Sequence, residues 1–165
     1  MKVFVIAALS VDGFIGPRDS TGASSLEWTS KEDTQHFMAL TKQAGVIVMG
    51  STTYGTIGKP LKGRRNLVYN ATPIDHPDVE TVSETPQALV ARLEREGCAQ
   101  LAVCGGHSIY KMFLQAGVVD ELYLTIEPIM FGEGIPLAAT PLKLELIDTK
   151  QINDNAIALH YKIKK

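Results

Sequence analysis

The carboxylate of Asp33 stands in a position suited to chemistry. It falls one turn into a predicted amphipathic helix and four residues before Phe37, so both side chains can lie on the same helix face. A carboxylate that faces an apolar cleft has a raised pKa and can hold a cationic or donor-rich heterocycle through paired hydrogen bonds. An acidic residue in a first helical turn can also serve only to complement the helix dipole, as the neighbouring Glu32 would. The pattern leaves both roles open.

Glycine-marked turns follow three predicted strands, at Gly16, Gly50 and Gly105-Gly106. In an open α/β sheet such turns meet at the carboxyl ends of the strands, where ligands bind. Glycine lets the backbone approach a ligand closely, and a helix that begins there presents unpaired N–H groups to an anion such as a pyrophosphate. No GxGxxG fingerprint or P-loop is present, and each turn taken alone also has a purely structural explanation.

A basic tract contains Lys59, Lys62, Arg64 and Arg65. It is either a solvated loop or a clamp for a carboxylate or phosphate, for which arginine is the better bidentate donor. The four histidines show no metal-ligand spacing, so no metal site is predicted. The two cysteines show neither metal nor redox spacing and are predicted to be free thiols in a cytoplasmic protein.

The elements that must position these residues alternate between strands and helices. Strands are predicted at 2–9, 46–49, 66–69, 79–82, 101–104 and 121–126, with a closing hairpin of 142–151 and 156–163, and helices at about 30–45, 51–57, 86–96 and 107–116. The apolar run before Gly50 does not alternate, which is typical of a strand covered on both faces. The pattern predicts an α/β fold with a mostly parallel central sheet, an antiparallel C-terminal edge hairpin and helices on both faces.

Length and charge limit the class of protein. With 165 residues the chain is expected to form a single domain over residues 1–165. Its net charge of −2 argues against nucleic acid or an anionic membrane as the main partner. The segment 17–26 is rich in Gly, Ser, Asp and Thr without periodicity, so it is predicted to be a mobile loop that acts as a lid over a site.

Several spaced motifs, in order, resemble the dihydrofolate reductase family over nearly the whole chain. They are IAALSVDGFIG at 6–16, Trp28 followed by Asp33 and Phe37, VMG at 48–50 through Thr53, IGKPLKGRRN at 57–66, CGG at 104–106 with Tyr110, and LYLT at 122–125. The resemblance implies the three-layer dihydrofolate reductase-like fold. It also implies reduction of 7,8-dihydrofolate to tetrahydrofolate by NADPH, inhibition by antifolates, and a monomer or homodimer.

The resemblance also implies a role for individual residues. The catalytic group would be Asp33, Trp28 and Thr125. Substrate would contact Ile6, Phe37, Ile57, Arg64, Cys104 and Tyr110. The cofactor would contact Ala8, Ile15, Gly16, Gly50, Ser51, Thr52, Thr53, Asn70, Gly105, Gly106, His107, Ser108, Ile109 and Tyr110.

Two positions depart from the family pattern. Ser51 and Ser108 stand where many members carry basic residues, of which the first grips the 2′-phosphate of NADPH. Arg65 or Lys42 is expected to substitute if NADPH is the cofactor, and NADH is the alternative.

A second family is also similar. The run VVDELYLTIEPIMFGEGIPL at 118–137 and SVDG at 10–13 resemble the reductase domain of riboflavin biosynthesis, which acts on a ribosylaminopyrimidine phosphate. Trp28, Asp33 and the run 58–64 suit a pterin and a glutamate tail instead. The folate enzyme is therefore the preferred interpretation, with the riboflavin-type reductase as the alternative.

Overall fold

The computed structural model describes residues 1–19, 25–138 and 140–165. Its strands are β1 (Lys2–Leu9), β2 (Phe14–Pro17), β3 (Val46–Gly50), β4 (Arg65–Tyr69), β5 (Val79–Val82), β6 (Gln100–Val103), β7 (Glu121–Ile126), β8 (Gly134–Pro136), β9 (Leu144–Gln151) and β10 (Ile157–Ile163). Eight of these form one sheet in the order β5-β4-β3-β6-β1-β7-β10-β9. The six strands from β5 to β7 pair in parallel, whereas β10 and β9 are antiparallel. The predicted sheet, including its antiparallel edge hairpin, is confirmed.

In the described part of the chain, four α-helices cover the sheet: α1 (Lys31–Ala44), α2 (Ser51–Ile57), α3 (Pro86–Arg95) and α4 (His107–Gln115). The helices α3 and α4 bury apolar side chains such as Leu89 and Phe113 on one face of the sheet. On the other face, α1 and α2 pack side chains such as Ala44 and Ile57. Because both faces are covered, the central strands are continuous apolar runs. Helices on both faces were predicted and are confirmed.

Local signals fix where α1 begins and ends. The Ser30 side chain accepts a hydrogen bond from the Asp33 backbone N–H at 3.2 Å, so Ser30 rather than Thr29 is the N-cap. At the other end Gly45 adopts φ 75° and its N–H bonds to the Thr41 carbonyl, the left-handed cap that glycine favours. These caps place Asp33 in the first turn of α1.

A small two-stranded ribbon of β2 and β8 was not predicted from the sequence. It packs so tightly that a Cβ added at Gly134 would lie 2.6 Å from the Gly16 carbonyl oxygen. Asp12 fixes the neighbouring turn, because its carboxylate accepts hydrogen bonds from the Ser10 hydroxyl (2.6 Å) and the Gly132 backbone N–H (2.7 Å). The lid predicted at 17–26 stays a prediction, since residues 20–24 lie outside the described part of the chain.

Both cysteines, Cys98 and Cys104, are free thiols. Among the described residues, no helix is long and apolar enough to cross a membrane.

Candidate active site

A cleft of about 950 Å³ runs along the carboxyl ends of β1, β6, β3, β4 and β5. It brings together residues that are far apart in the sequence. Of the predicted site residues, it is lined by Ile6, Ala8, Ile15, Asp33, Phe37, Gly50, Ser51, Thr52, Thr53, Ile57, Asn70, Cys104, Gly105, Gly106, His107, Ser108, Ile109 and Tyr110. Its volume and largely apolar lining match those of small-molecule sites.

Asp33 lies where α1 passes over the strand pair β1 and β7. The side chain of Thr125, on β7 opposite Ala8, is 2% exposed and hydrogen-bonds to the Asp33 carboxylate. Burial raises the pKa of Asp33 above its ordinary value of 3.8, and the Thr125 hydrogen bond opposes that rise. A partly desolvated carboxylate at the edge of an apolar cleft is an acid and hydrogen-bond acceptor suited to catalysis.

Glu127 is a second carboxylate near Asp33, and the sequence did not indicate it. It is 2% exposed, and its Oε1 accepts hydrogen bonds from the Ser30 backbone N–H (2.8 Å) and hydroxyl (2.7 Å). These bonds attach the first turn of α1 to the segment after β7. The negative charge of Glu127 also adds to the rise in the pKa of Asp33, after burial. Glu127 therefore positions Asp33 without lining the cleft.

The pKa of Asp33 predicts how stability depends on pH. Because the pKa is higher in the folded state, the folded state loses stability as pH rises from the ordinary carboxyl range through the raised pKa. We expect Asp33→Asn to raise the free energy of unfolding at neutral pH by about 1 kcal/mol. The gain should shrink as the pH falls through the raised pKa and should be lost below the ordinary value of 3.8. Urea unfolding at several pH values measures it, and a gain that grows on acidification would contradict this assignment.

The two glycine turns at the middle of the cleft are joined to each other. The Gly50 N–H donates to the Gly105 carbonyl at 2.8 Å, and the Gly105-Gly106 peptide is cis. Gly50 and Gly106 are the N-cap residues of α2 and α4, and neither helix has a side-chain cap. Their first N–H groups therefore lack partners from a capping side chain, and an anion between the two turns would satisfy them.

Gly105 can tolerate no side chain. Its φ is +100°, and an added Cβ would lie 2.9 Å from Tyr110 Cζ. The Tyr110 ring cannot withdraw easily, because its buried hydroxyl donates to the Ile6 carbonyl at 2.8 Å. Burial also raises the pKa of Tyr110 well above its ordinary value, which keeps it a neutral donor.

We expect Gly105→Ala to lower the free energy of unfolding by about 1–3 kcal/mol, because it forces a left-handed residue against a fixed ring. Chemical denaturation measures the effect. Gly55→Ala is the matched control, since a Cβ there has nothing within 4 Å and alanine favours the helix. Equal unfolding energies for the two variants would show that the contact at Gly105 is unimportant.

Arg64 falls outside the cleft lining, in an adjoining groove that shares Leu61 with the cleft. Its Nη2 donates to the Met38 carbonyl at 3.4 Å, whereas Nε and Nη1 are buried without a hydrogen-bond partner. Burial lowers the pKa of this guanidinium, so its charge is poorly compensated. A half-buried cation that has no counter-ion among the described residues is suited to receive a carboxylate.

Two further predicted site residues, Trp28 and Gly16, also fall outside the cleft lining. Trp28 lies in an adjoining groove, edge to face with Phe131 at a ring-centre distance of 5.2 Å. Gly16 is buried in the ribbon. The lining also includes residues that were not predicted, among them Thr29, Ser83 and Ile135. No spacing in the sequence relates these three residues to the predicted site.

The expectation that Arg65 or Lys42 compensates for Ser51 is wrong. Arg65 begins β4 opposite Val46, whereas the cleft lies at the other end of these strands, where Gly50 is opposite Tyr69. Arg65 is also engaged by Glu80 and Glu96. Lys42 lies near Gly63, which is two residues before Arg65 at that same amino end of β4.

Comparison with known proteins agrees with this geometry. The model of the dihydrofolate reductase family matches residues 2–156. The chain is 34% identical to dihydrofolate reductase type 3 of Salmonella typhimurium, over 76% of this chain and 71% of that one. It is 32% identical to dihydrofolate reductase type 9 of Escherichia coli, over 73% and 67%. It is also 27% identical to the uncharacterized protein YwjB of Bacillus subtilis, over 97% of both chains.

Solved structures show the same fold. A putative riboflavin biosynthesis protein from Shewanella sp. PV-4 superposes with a TM-score of 0.81 at 24% identity, over 100% of both chains. A pyrimidine reductase-like protein from Corynebacterium diphtheriae superposes with a TM-score of 0.78 at 17% identity, over 99% of this chain and 92% of that one. At these identities the likeness concerns the fold alone.

Proposed function

Because the chain belongs to the dihydrofolate reductase family, we propose that this reductase converts 7,8-dihydrofolate to tetrahydrofolate with a reduced nicotinamide dinucleotide. The observation that carries the proposal is the Asp33 carboxylate, supported by Thr125 and placed in the cleft that also holds both glycine turns. A pterin presents adjacent 2-amino and N3 donors, which a carboxylate can accept as a pair.

The residues present fit the cofactor. Two helices begin without side-chain caps beside glycines that let a pyrophosphate approach the backbone, and Ser51, Thr52 and Thr53 add hydroxyl groups. When bound, the nicotinamide supplies a hydride to C6 of the pterin. Ala8, Ile15 and Ile135 line the cleft with apolar surface that limits access of water to that transfer.

In this proposal Asp33 orients the pterin and favours its protonated form. Its carboxylate accepts hydrogen bonds from the 2-amino and N3 groups, while Thr125 holds the carboxylate from beneath. A negative charge so close to the ring favours the proton that N5 must receive. Phe37 and Ile57 pack against the aminobenzoyl ring, and the Arg64 guanidinium receives the glutamate carboxylate.

The test is oxidation of reduced nicotinamide that depends on dihydrofolate, measured separately with NADH and NADPH. Chromatography should identify tetrahydrofolate as the product, and an antifolate should abolish the oxidation. Oxidation that requires a ribosylaminopyrimidine phosphate instead, with none on dihydrofolate, would contradict the folate assignment and favour the riboflavin-type reaction.

A further inference from the structure

The cleft has no lysine or arginine among its described lining residues. The undescribed residues 20–24 and 139 are Ser, Thr, Gly and Ala, so they carry no positive charge either. His107, the one histidine in the described lining, lies at the start of α4, where its Nδ1 donates to the Pro136 carbonyl at 2.8 Å. A dinucleotide in this cleft therefore meets backbone N–H groups and hydroxyls in place of cationic side chains.

The order of the strands fixes which part of the cleft receives each half of a dinucleotide. The hydride donor must lie near Asp33, over β1, and the pyrophosphate between the turns that follow β3 and β6. The other nucleoside then lies beyond β3, over the carboxyl ends of β4 and β5. The lining there consists of Ser51, Tyr69, Asn70, Ala71, Val82 and Ser83.

A group of charges with a negative sum runs from Glu84, at this end of the cleft, to Arg65 at the amino end of β4. Arg92 pairs with Glu80 and Glu84, both at 2.8 Å, and Arg65 pairs with Glu80 at 2.6 Å. Both guanidiniums also pair with Glu96. Three carboxylates against two guanidiniums leave one net negative charge, and Glu84 directly follows the lining residue Ser83. These arginines are occupied, so neither is available to a further anion.

The uncharged side chains at the β4 and β5 end of the cleft are suited to bind the hydroxyl groups of a ligand. The Asn70 amide nitrogen donates to the Thr72 carbonyl at 2.9 Å, and its amide oxygen remains able to accept a hydrogen bond. Ser51 and Ser83 are exposed and carry hydroxyls that both donate and accept. An amide oxygen and two hydroxyls can bond a ribose diol, whereas a 2′-phosphate would bring a charge of about −1.5 to −2 without a cation to receive it.

We propose that the chain selects the dinucleotide without a 2′-phosphate, NADH, and that Ser51, Asn70 and Ser83 at the ends of β3, β4 and β5 determine this specificity. The inference rests on the proposed function only in taking the cleft as a nicotinamide dinucleotide site. It is independent of whether the substrate is a folate.

Binding without substrate tests the proposal. Calorimetric titration of the full chain with NADH and with NADPH should give at least about tenfold tighter binding of NADH. Added salt should narrow this difference, because it screens the repulsion of the 2′-phosphate. Equal affinities, tighter binding of NADPH, or NADPH binding that weakens with salt more than NADH binding would overturn the proposal.

Two variants test whether Ser51 determines the preference between NADH and NADPH. Ser51→Arg should shift the NADPH-to-NADH affinity ratio at least about tenfold toward NADPH. Gln115→Arg adds the same charge at the exposed C-terminal end of α4, away from the cleft, and should leave the ratio as it is in the unchanged chain. A ratio that Ser51→Arg does not move, or that both variants move equally, would refute the role of Ser51.

The outcomes separate this inference from the proposed function. Selective NADH binding without turnover of dihydrofolate would support the inference and contradict the folate substrate. Turnover of dihydrofolate together with a preference for NADPH would support the folate substrate and contradict the inference. Binding of neither dinucleotide would overturn both.

Discussion

Replacing Asp33 with asparagine should lower the turnover of dihydrofolate by about 100- to 10,000-fold, the range over which a positioned acid-base group contributes. Asparagine has the same shape and still accepts the Thr125 hydrogen bond, so the fold should stay intact. Asparagine is neutral, so it cannot accept hydrogen bonds from both pterin donors as a carboxylate does, and it cannot favour protonation of the ring. Steady-state kinetics across pH measures the loss. The residual rate should rise steadily as pH falls, because the proton must then come from solution.

Glu32→Gln is the matched control for this variant. Glu32 is the adjacent carboxylate on α1, but it lines the adjoining groove that contains Trp28, where its Oε2 accepts a hydrogen bond from the Asn153 side chain at 3.3 Å. Its replacement should change turnover less than about twofold. Near-normal reduction by Asp33→Asn at neutral pH, or an equal loss in both variants, would eliminate the catalytic role of Asp33.

Replacing Arg64 with leucine should raise the KM for dihydrofolate by about 10- to 100-fold, with a smaller change in kcat. This increase corresponds to the loss of one charged hydrogen-bonded pair. The expected cause is the loss of the partner for the glutamate carboxylate. Dihydropteroate, which lacks the glutamate, provides the control substrate. The KM for dihydropteroate should be similar in both proteins, because Arg64 has no contact to lose with it.

The same variant should not destabilise the protein. Nε and Nη1 of Arg64 are buried without partners among the described residues, and an apolar side chain removes that desolvation cost. Chemical denaturation should therefore show an equal or higher free energy of unfolding for Arg64→Leu. A variant that loses dihydrofolate and dihydropteroate affinity equally, or that unfolds more easily, would indicate a structural role for Arg64.

The sequence predicts the sheet well because its central strands are continuous apolar runs. The bounds of β1, β5 and β7 agree with the predicted ranges, and β1 is a buried apolar run that ends just before a turn. The helices α1 and α4 differ by only one or two residues at their ends, because glycines and capping residues mark them. The glycine turns and Asp33 meet in one cleft because parallel strands bring their carboxyl ends together.

Long-range contacts account for what the sequence could not predict. Glu127 is buried only because Ser30, 97 residues earlier, provides its two donors. The strand β8 contains Gly134 and Pro136, which disfavour a strand, and it exists through pairing with β2. Asp33 follows Trp28 at the expected spacing, but spacing does not determine on which side of a loop a side chain lies. The contact of Trp28 with Phe131 determines this.

The position of β1 has a consequence for how the chain folds. The strand β1 precedes the other described strands in the chain but lies in the middle of the sheet. Both of its partners come from the second half of the chain: Val3 is opposite Leu101 and Val5 is opposite Leu122. About a hundred residues must therefore be synthesised before β1 has a neighbour, and closing so large a loop slows folding. The cleft wall formed by Ala8 is completed late, so the site assembles only when nearly all of the sheet is in place.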